Sequence, residues 1–171
     1  AAPGPATRAG RRAGAHALRG RTILLVEDHE ETREAMQFVL ERAGSRVVAA
    51  DSGARALKVL GVDPDLSQHR GPMVDAIVCD LGMPDMSGYE FIARVVEAYQ
   101  HKRRSLPPAC AISAHARDVD RRRAIEAGFD LHLAKPVTAK GLIEAVDDLC
   151  QLARAECADS STPHSPRDAH A

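Results

Sequence analysis

Five side chains able to do chemistry each lie directly behind a short apolar run. They are Glu27 and Asp28 after "TILLV", Asp80 after "AIVC", Ser113 after "ACAI", and Lys135, followed by Pro136, after "DLHLA". Singly, an acidic pair after a strand is an ordinary helix start, a serine a cap and Lys-Pro a turn. Together they suggest one pocket. Three carboxylates drawn close repel: at ~4 Å and an effective dielectric near 20, one pair costs about 4 kcal/mol. A divalent cation is the natural remedy. All-oxygen ligands select a hard ion, and two carboxylates with a carbonyl and waters suit Mg²⁺. A lysine and a hydroxyl suit an anion instead, and a tetrahedral oxyanion beside Mg²⁺ points to phosphate. Neither GxxxxGK[ST] nor GxGxxG occurs, so the chain has no nucleotide cradle. The phosphoryl group must then arrive on another carrier, and a strand-end carboxylate can accept it as an aspartyl phosphate.

The elements that would position these groups alternate along the chain. "TILLVED" (22–28) reads as a strand buried on both faces. Residues 31–43 place Thr32, Ala35, Met36, Val39, Leu40 and Ala43 on one helical face, stopped by Gly44. "RVVAA" (46–50) is a second strand, and Ser52 caps a helix carrying Ala56, Leu57 and Leu60 that ends at Gly61. A polar loop with Pro64 and Gly71 leads to a third strand, "VDAIVC" (74–79), and a helix over about 88–100 follows. Pro107 and Pro108 precede the fourth strand, "ACAIS" (109–113). A fourth helix spans about 116–127, "DLHLA" (130–134) is the fifth strand, and Thr138 caps a last helix with Leu142, Ala145, Val146, Leu149 and Leu152. Strands alternating with helices need crossovers, which predicts a parallel sheet covered on both faces. The fold class is α/β: a flavodoxin-like, doubly wound, five-stranded sheet of order 2-1-3-4-5 with five helices. Ligands bind outside the carboxyl ends of such strands, where the order reverses, between strands one and three. That order sets Glu27 and Asp28 beside Asp80, with Ser113 one strand away and Lys135 two.

Composition bounds the rest. Residues 1–21 hold five arginines and no acid. They read as a solvated basic linker rather than a nucleic-acid or membrane arm, because no aromatic is interleaved for stacking. Residues 22–153 form the domain, and 154–171 read as a disordered tail. The formal net charge is −1, which gives no whole-chain argument for nucleic acid. No apolar stretch approaches the ~20 residues of a membrane helix. The cysteines, at 79, 110, 150 and 157, show no CxxC and no Cys/His cluster, and read as buried or idle cytosolic thiols. The chain opens on Ala1, not Met, which fits excision from a longer protein.

In sequence order, "LLVEDHEETRE", "IVCDLGMPDMSGYEF", "AISAHA" and "AGFDLHLAKPV" resemble the receiver domain of bacterial two-component response regulators over about residues 22–150. The second and last motifs look most like receivers fused to hybrid sensor histidine kinases. A stand-alone response regulator is the alternative. The resemblance implies that Asp80 accepts a phosphoryl group from a phosphohistidine on a histidine kinase or histidine phosphotransfer protein. It implies Mg²⁺ (or Mn²⁺) held by Asp28, Glu27, Asp80 and the backbone carbonyl of Gly82. Lys135 pairs with one phosphoryl oxygen, Ser113 hydrogen-bonds another, and the Ala114 N–H assists. The Lys135–Pro136 bond is expected to be cis. Phosphorylation draws Ser113 inward and lets the side chain at 132 rotate into the vacated space. That biases the surface of the fourth helix, fifth strand and fifth helix, which can also pair in a homodimer. A cytoplasmic location follows, with no direct nucleic-acid or membrane contact by this domain.

The chain departs from the family pattern in places. Position 132, usually Tyr or Phe, is His132, which makes pH-sensitive switching a hypothesis. Glu27 replaces the commoner Asp. Gly82 offers no side chain to the hydrolytic water, and His115 lies two residues past Ser113, so the dephosphorylation rate is not legible. Arg121, Arg122 and Arg123 read as a solvated face more than a docking patch. Two other classes fit the residues less well. An Asp-nucleophile phosphatase of the haloacid dehalogenase kind needs DxD, and its second Asp is Gly82 here. A pseudo-receiver would lack Asp80 or Lys135, and both are present. Too few residues follow the fifth helix for a helix-turn-helix unit, so output goes through a partner or a longer chain.

Overall fold

The computed structural model describes residues 16–62, 71–102, 104–114 and 117–159 of the 171-residue chain, the last five as backbone only. Five short apolar runs form the strands: β1 (Thr22–Val26), β2 (Arg46–Ala50), β3 (Ala76–Asp80), β4 (Ala109–Ser113) and β5 (Leu131–Ala134). Between and after them lie α1 (Glu30–Arg42), α2 (Gly53–Val59), α3 (Gly88–His101), α4 (Asp118–Ala127) and α5 (Ala139–Asp159). The sheet order is β2-β1-β3-β4-β5, parallel throughout, as the alternation predicts.

β3 and β4 are buried at every residue, which is why they read as continuous apolar runs and not as alternating ones. Their successive side chains feed two cores. On one face Ile23, Leu25, Val78 and Ile112 pack with Met36 and Leu40 of α1 and with Leu142, Val146 and Leu149 of α5. On the other, Leu24, Val26, Ile77 and Ala111 pack with Leu57 of α2, Phe91, Ile92 and Val95 of α3, and Ala124 of α4. Two of the three phenylalanines, Phe91 and Phe129, lie in this second core, and the rest of it is largely aliphatic.

Ser52 and Thr138 cap where the sequence places them, and Ser87 caps α3. Ser52 accepts from Arg55 N–H at 3.3 Å, Ser87 from Glu90 N–H at 3.2 Å, and Thr138 from Gly141 N–H at 3.0 Å. Gly128 ends α4 in the left-handed conformation, at φ 118°, where a side chain is strained.

Some boundaries move. β3 runs Ala76–Asp80 rather than 74–79, so Asp80 is its last residue. The Asp75 carboxylate is engaged elsewhere, accepting from Thr22 N–H at 2.8 Å and pairing with Arg21 at 3.0 Å. β5 starts at Leu131 rather than 130, and α4 at Asp118 rather than 116. The expected linker ran through residue 21, yet 16–20 form a turn whose Leu18 is 0% exposed and donates its N–H to Ala43 O at 3.0 Å. The expected tail began at 154, and α5 continues to Asp159. Residues 1–15 and 160–171, like Pro64 and His115, lie outside the described residues.

Candidate functional site

The parallel register builds the site one strand at a time. Val26 pairs with Cys79, so Glu27 and Asp80 are the next residues on neighbouring strands. Asp80 pairs with Ile112, which sets Ser113 one step further on. Ser113 pairs with Ala134, and Lys135 N–H donates to Ser113 O at 2.8 Å. Glu27 and Asp80 are level, and Ser113 and then Lys135 each step one residue further out, so the side chains gather at the carboxyl edge.

Carboxylate oxygens of Glu27, Asp28 and Asp80 lie within 4.8 Å of one another. Glu27 is 1% exposed and Asp80 6%. The Lys135 ammonium bridges two of the acids, 3.1 Å from Glu27 Oε2 and 3.2 Å from Asp80 Oδ2. Burial and then the charge of Asp80 push the Glu27 carboxyl above its ordinary 4.5, although Lys135 pulls it down. For Lys135, burial acts to lower the pKa. The hydrogen bond to Glu27 and the charges of Asp80 and Glu27 outweigh that, and the net direction is up. One ammonium thus faces three carboxylates. The Asp80 charge adds to the upward push that burial gives the Glu27 carboxyl. An all-oxygen, acidic donor set this compact fits a small hard cation. No buried polar side-chain atom among the described residues is left without a partner.

Loop geometry fixes Asp80. Gly88 packs so tightly behind Asp80 that a Cβ there would fall 2.6 Å from Asp80 O and 2.9 Å from the Leu81 Cα. Gly82 is exposed beside the acid, its Cβ position 3.9 Å from Asp80 Oδ2. Ala114 is exposed at the end of β4, and the Lys135–Pro136 peptide is cis, as expected. Ser113 is 8% exposed, and its hydroxyl lies 2.8 Å from His132 Nε2. The structure therefore brings Glu27, Asp28, Asp80 and Lys135 into one cluster, with Ser113 on the adjacent strand end and His132 bonded to it.

Two contributors were missed in the sequence. Arg33 on α1 donates to the backbone carbonyls of Glu27 at 2.9 Å and Asp28 at 3.2 Å, pinning the acidic loop from behind. Its one signal is an arginine in the first turn after the acidic pair. Asp85, in the loop behind Asp80, accepts from Ala54 N–H at 3.1 Å and Gly53 N–H at 3.4 Å. It ties that loop to the α2 N-terminus. Arg121, Arg122 and Arg123 are exposed, as a solvated face requires, but Arg123 also stacks 4.6 Å over the Tyr89 ring, linking α4 to α3.

The response regulator receiver domain model matches residues 23–147. The chain belongs to that family, and it is a receiver domain of two-component signalling. An uncharacterised 14.6 kDa protein of Leptolyngbya boryana is 38% identical over 128 residues, spanning 75% of this chain and 88% of that protein. Probable histidine kinase 2 of Oryza sativa subsp. indica is 32% identical over 140 residues, 78% of this chain but only 13% of the kinase. Among solved structures, the receiver domain of the sensor histidine kinase PA1611 from Pseudomonas aeruginosa superposes with a TM-score of 0.63 at 26% identity. The match covers 77% of this chain and 98% of that one, and that domain carries a magnesium ion coordinated in its active-site cleft.

Proposed function

We propose that this receiver takes a phosphoryl group from a phosphohistidine onto Asp80. The observation that carries the reading is the cluster itself: a buried strand-end carboxylate, two further acids within 4.8 Å and an ammonium 3.2 Å away. An Asp80 oxygen forms a bond to phosphorus as the P–N bond to the donor imidazole breaks, and the electron pair leaves on that nitrogen. The product is an acyl phosphate. Mg²⁺, held by Glu27, Asp28, Asp80 and the Gly82 carbonyl, supplies charge neutralisation when bound. Lys135 turns from the acids toward a phosphoryl oxygen, Ser113 donates to another, and the Ala114 N–H assists. The donor is a histidine kinase or histidine phosphotransfer protein, and output runs through the surface of α4, β5 and α5.

The match to a receiver-sized part of a rice histidine kinase favours a place within a hybrid kinase. A stand-alone regulator is the second reading, favoured by a relative of which the chain covers 88%. Intact-mass measurement after incubation with Mg²⁺ and acetyl phosphate tests the chemistry. The expected result is a stable adduct of ~80 Da, the mass of one phosphoryl group, absent in Asp80→Asn. Rapid turnover of acetyl phosphate without an adduct would mark a phosphatase, and no reaction at all a binding module.

A further inference from the structure

Ser113 Oγ and His132 Nε2 are 2.8 Å apart, across the β4–β5 pair. Leu131 and Leu133 pack on the α1–α5 side of the sheet, so alternation turns His132 to the opposite face, where α4 contributes Ala124. Among the described residues, the charged groups acting on the ring are Asp120 and Arg121, both on α4. Burial holds the ring below the ordinary 6.5, with Asp120 pulling it up and Arg121 down. At neutral pH the ring therefore carries one proton, and the hydrogen bond to Ser113 has a direction. With the proton on Nδ1, Nε2 accepts the serine hydrogen. With it on Nε2, the ring donates to Ser113 Oγ and leaves the serine hydrogen for another acceptor.

The phosphoacceptor reading above, on which this inference rests, requires Ser113 to donate to a phosphoryl oxygen. A hydroxyl has one hydrogen and cannot donate it in both directions. We propose that His132 is a positioning residue that stays bonded to Ser113: its Nε2–H aims the serine hydroxyl at the phosphoryl group, and the arrival of that group is relayed to Asp120 on α4 as a change in imidazole protonation. No covalent bond changes in this relay. The ring proton moves between nitrogens through solvent, and a second proton, also from water, settles on Nδ1 once phosphoryl charge lies two hydrogen bonds away. The expected rotation of residue 132 into vacated space gives way to a change in hydrogen-bond direction, because histidine, unlike phenylalanine, has a polar atom to hold the serine.

Ring ¹⁵N NMR of the full chain, with and without Mg²⁺ and beryllofluoride as the phosphoryl mimic, reads the tautomer and pKa of His132. A His132→Phe sample assigns the signal. The expected result is a bound-form ring protonated at Nε2, with Nδ1 also protonated below a pKa that has moved up, the move being smaller in Asp120→Asn. Phosphoryl lifetime after acetyl phosphate treatment should then be several-fold longer at about pH 6 than at about pH 8 in the wild type. In His132→Gln, whose amide donates without titrating, it should be flat. A bound-form ring whose Nε2 carries no proton, an unmoved pKa, or a His132→Gln lifetime that follows the wild type across pH overturns the proposal. An adduct that forms while His132 stays unresponsive sinks this relay alone. Failure of the wild type to form any adduct sinks the phosphoacceptor reading and the relay with it.

Discussion

Arg33 shows what a single residue contributes here. Its guanidinium holds two loop carbonyls, and those carbonyls set where the Glu27 and Asp28 carboxylates point. Arg33→Ala should weaken Mg²⁺ binding, read by isothermal titration, and lower stability by about 1.5–3 kcal/mol, the scale for hydrogen bonds to a charged group. Arg33→Lys should recover part of the loss. Mg²⁺ affinity unchanged in Arg33→Ala would show that the loop holds itself. Gly88 makes a second case. A Cβ 2.6 Å from Asp80 O must displace Asp80, so on the proposed chemistry Gly88→Ala should slow adduct formation as well as destabilise, and wild-type kinetics in this variant would contradict that. The site acids and Lys135 were legible because each follows an apolar run. Arg33 was not, because its partners are backbone carbonyls that carry no letter in the sequence. The Ser113–His132 bond joins side chains on separate strands, and only the register brings them together.

At the scale of elements, strand and helix order was readable from period and stop signals, and the starts of β3 and β5 slipped by one or two residues because a carboxylate there serves another backbone. Asp130 illustrates this: its side chain accepts from Ala109 N–H at 2.8 Å, so it braces β4 instead of starting β5. The turn at 16–20 was hidden for a different reason. One leucine among Arg, Gly and Ala has no periodicity, yet Leu18 fills the core beside Leu40 and Ala43. Leu18→Ala should therefore cost about 2–5 kcal/mol by urea unfolding. A cost near zero would return the segment to the linker. Asp85→Ala, which removes a cap from α2, should cost about 1 kcal/mol in the same measurement.

The whole molecule couples these pieces through one sheet. Order reversal between β1 and β3 gathers the acids, and β4 and β5 carry Ser113, His132 and Lys135 toward α4 and α5. His132 also sets a pH dependence for the entire fold. Its folded pKa lies below 6.5, burial being the main cause. As pH falls from about 6.5 toward the folded value, the unfolded chain binds a proton that the folded chain resists, so stability drops. Urea unfolding should show a stability slope between about pH 7 and 5.5 that is smaller in His132→Phe. An identical slope in both proteins would assign it to other groups. The central claim is where the phosphoryl group goes. It is tested most directly by digesting the acetyl-phosphate-treated protein and mapping the modified peptide before and after hydroxylamine, which cleaves acyl phosphates. The account predicts a phosphoryl group on the peptide carrying Asp80, removed by hydroxylamine. A hydroxylamine-stable phosphate on Ser113, or none on the Asp80 peptide, would contradict it.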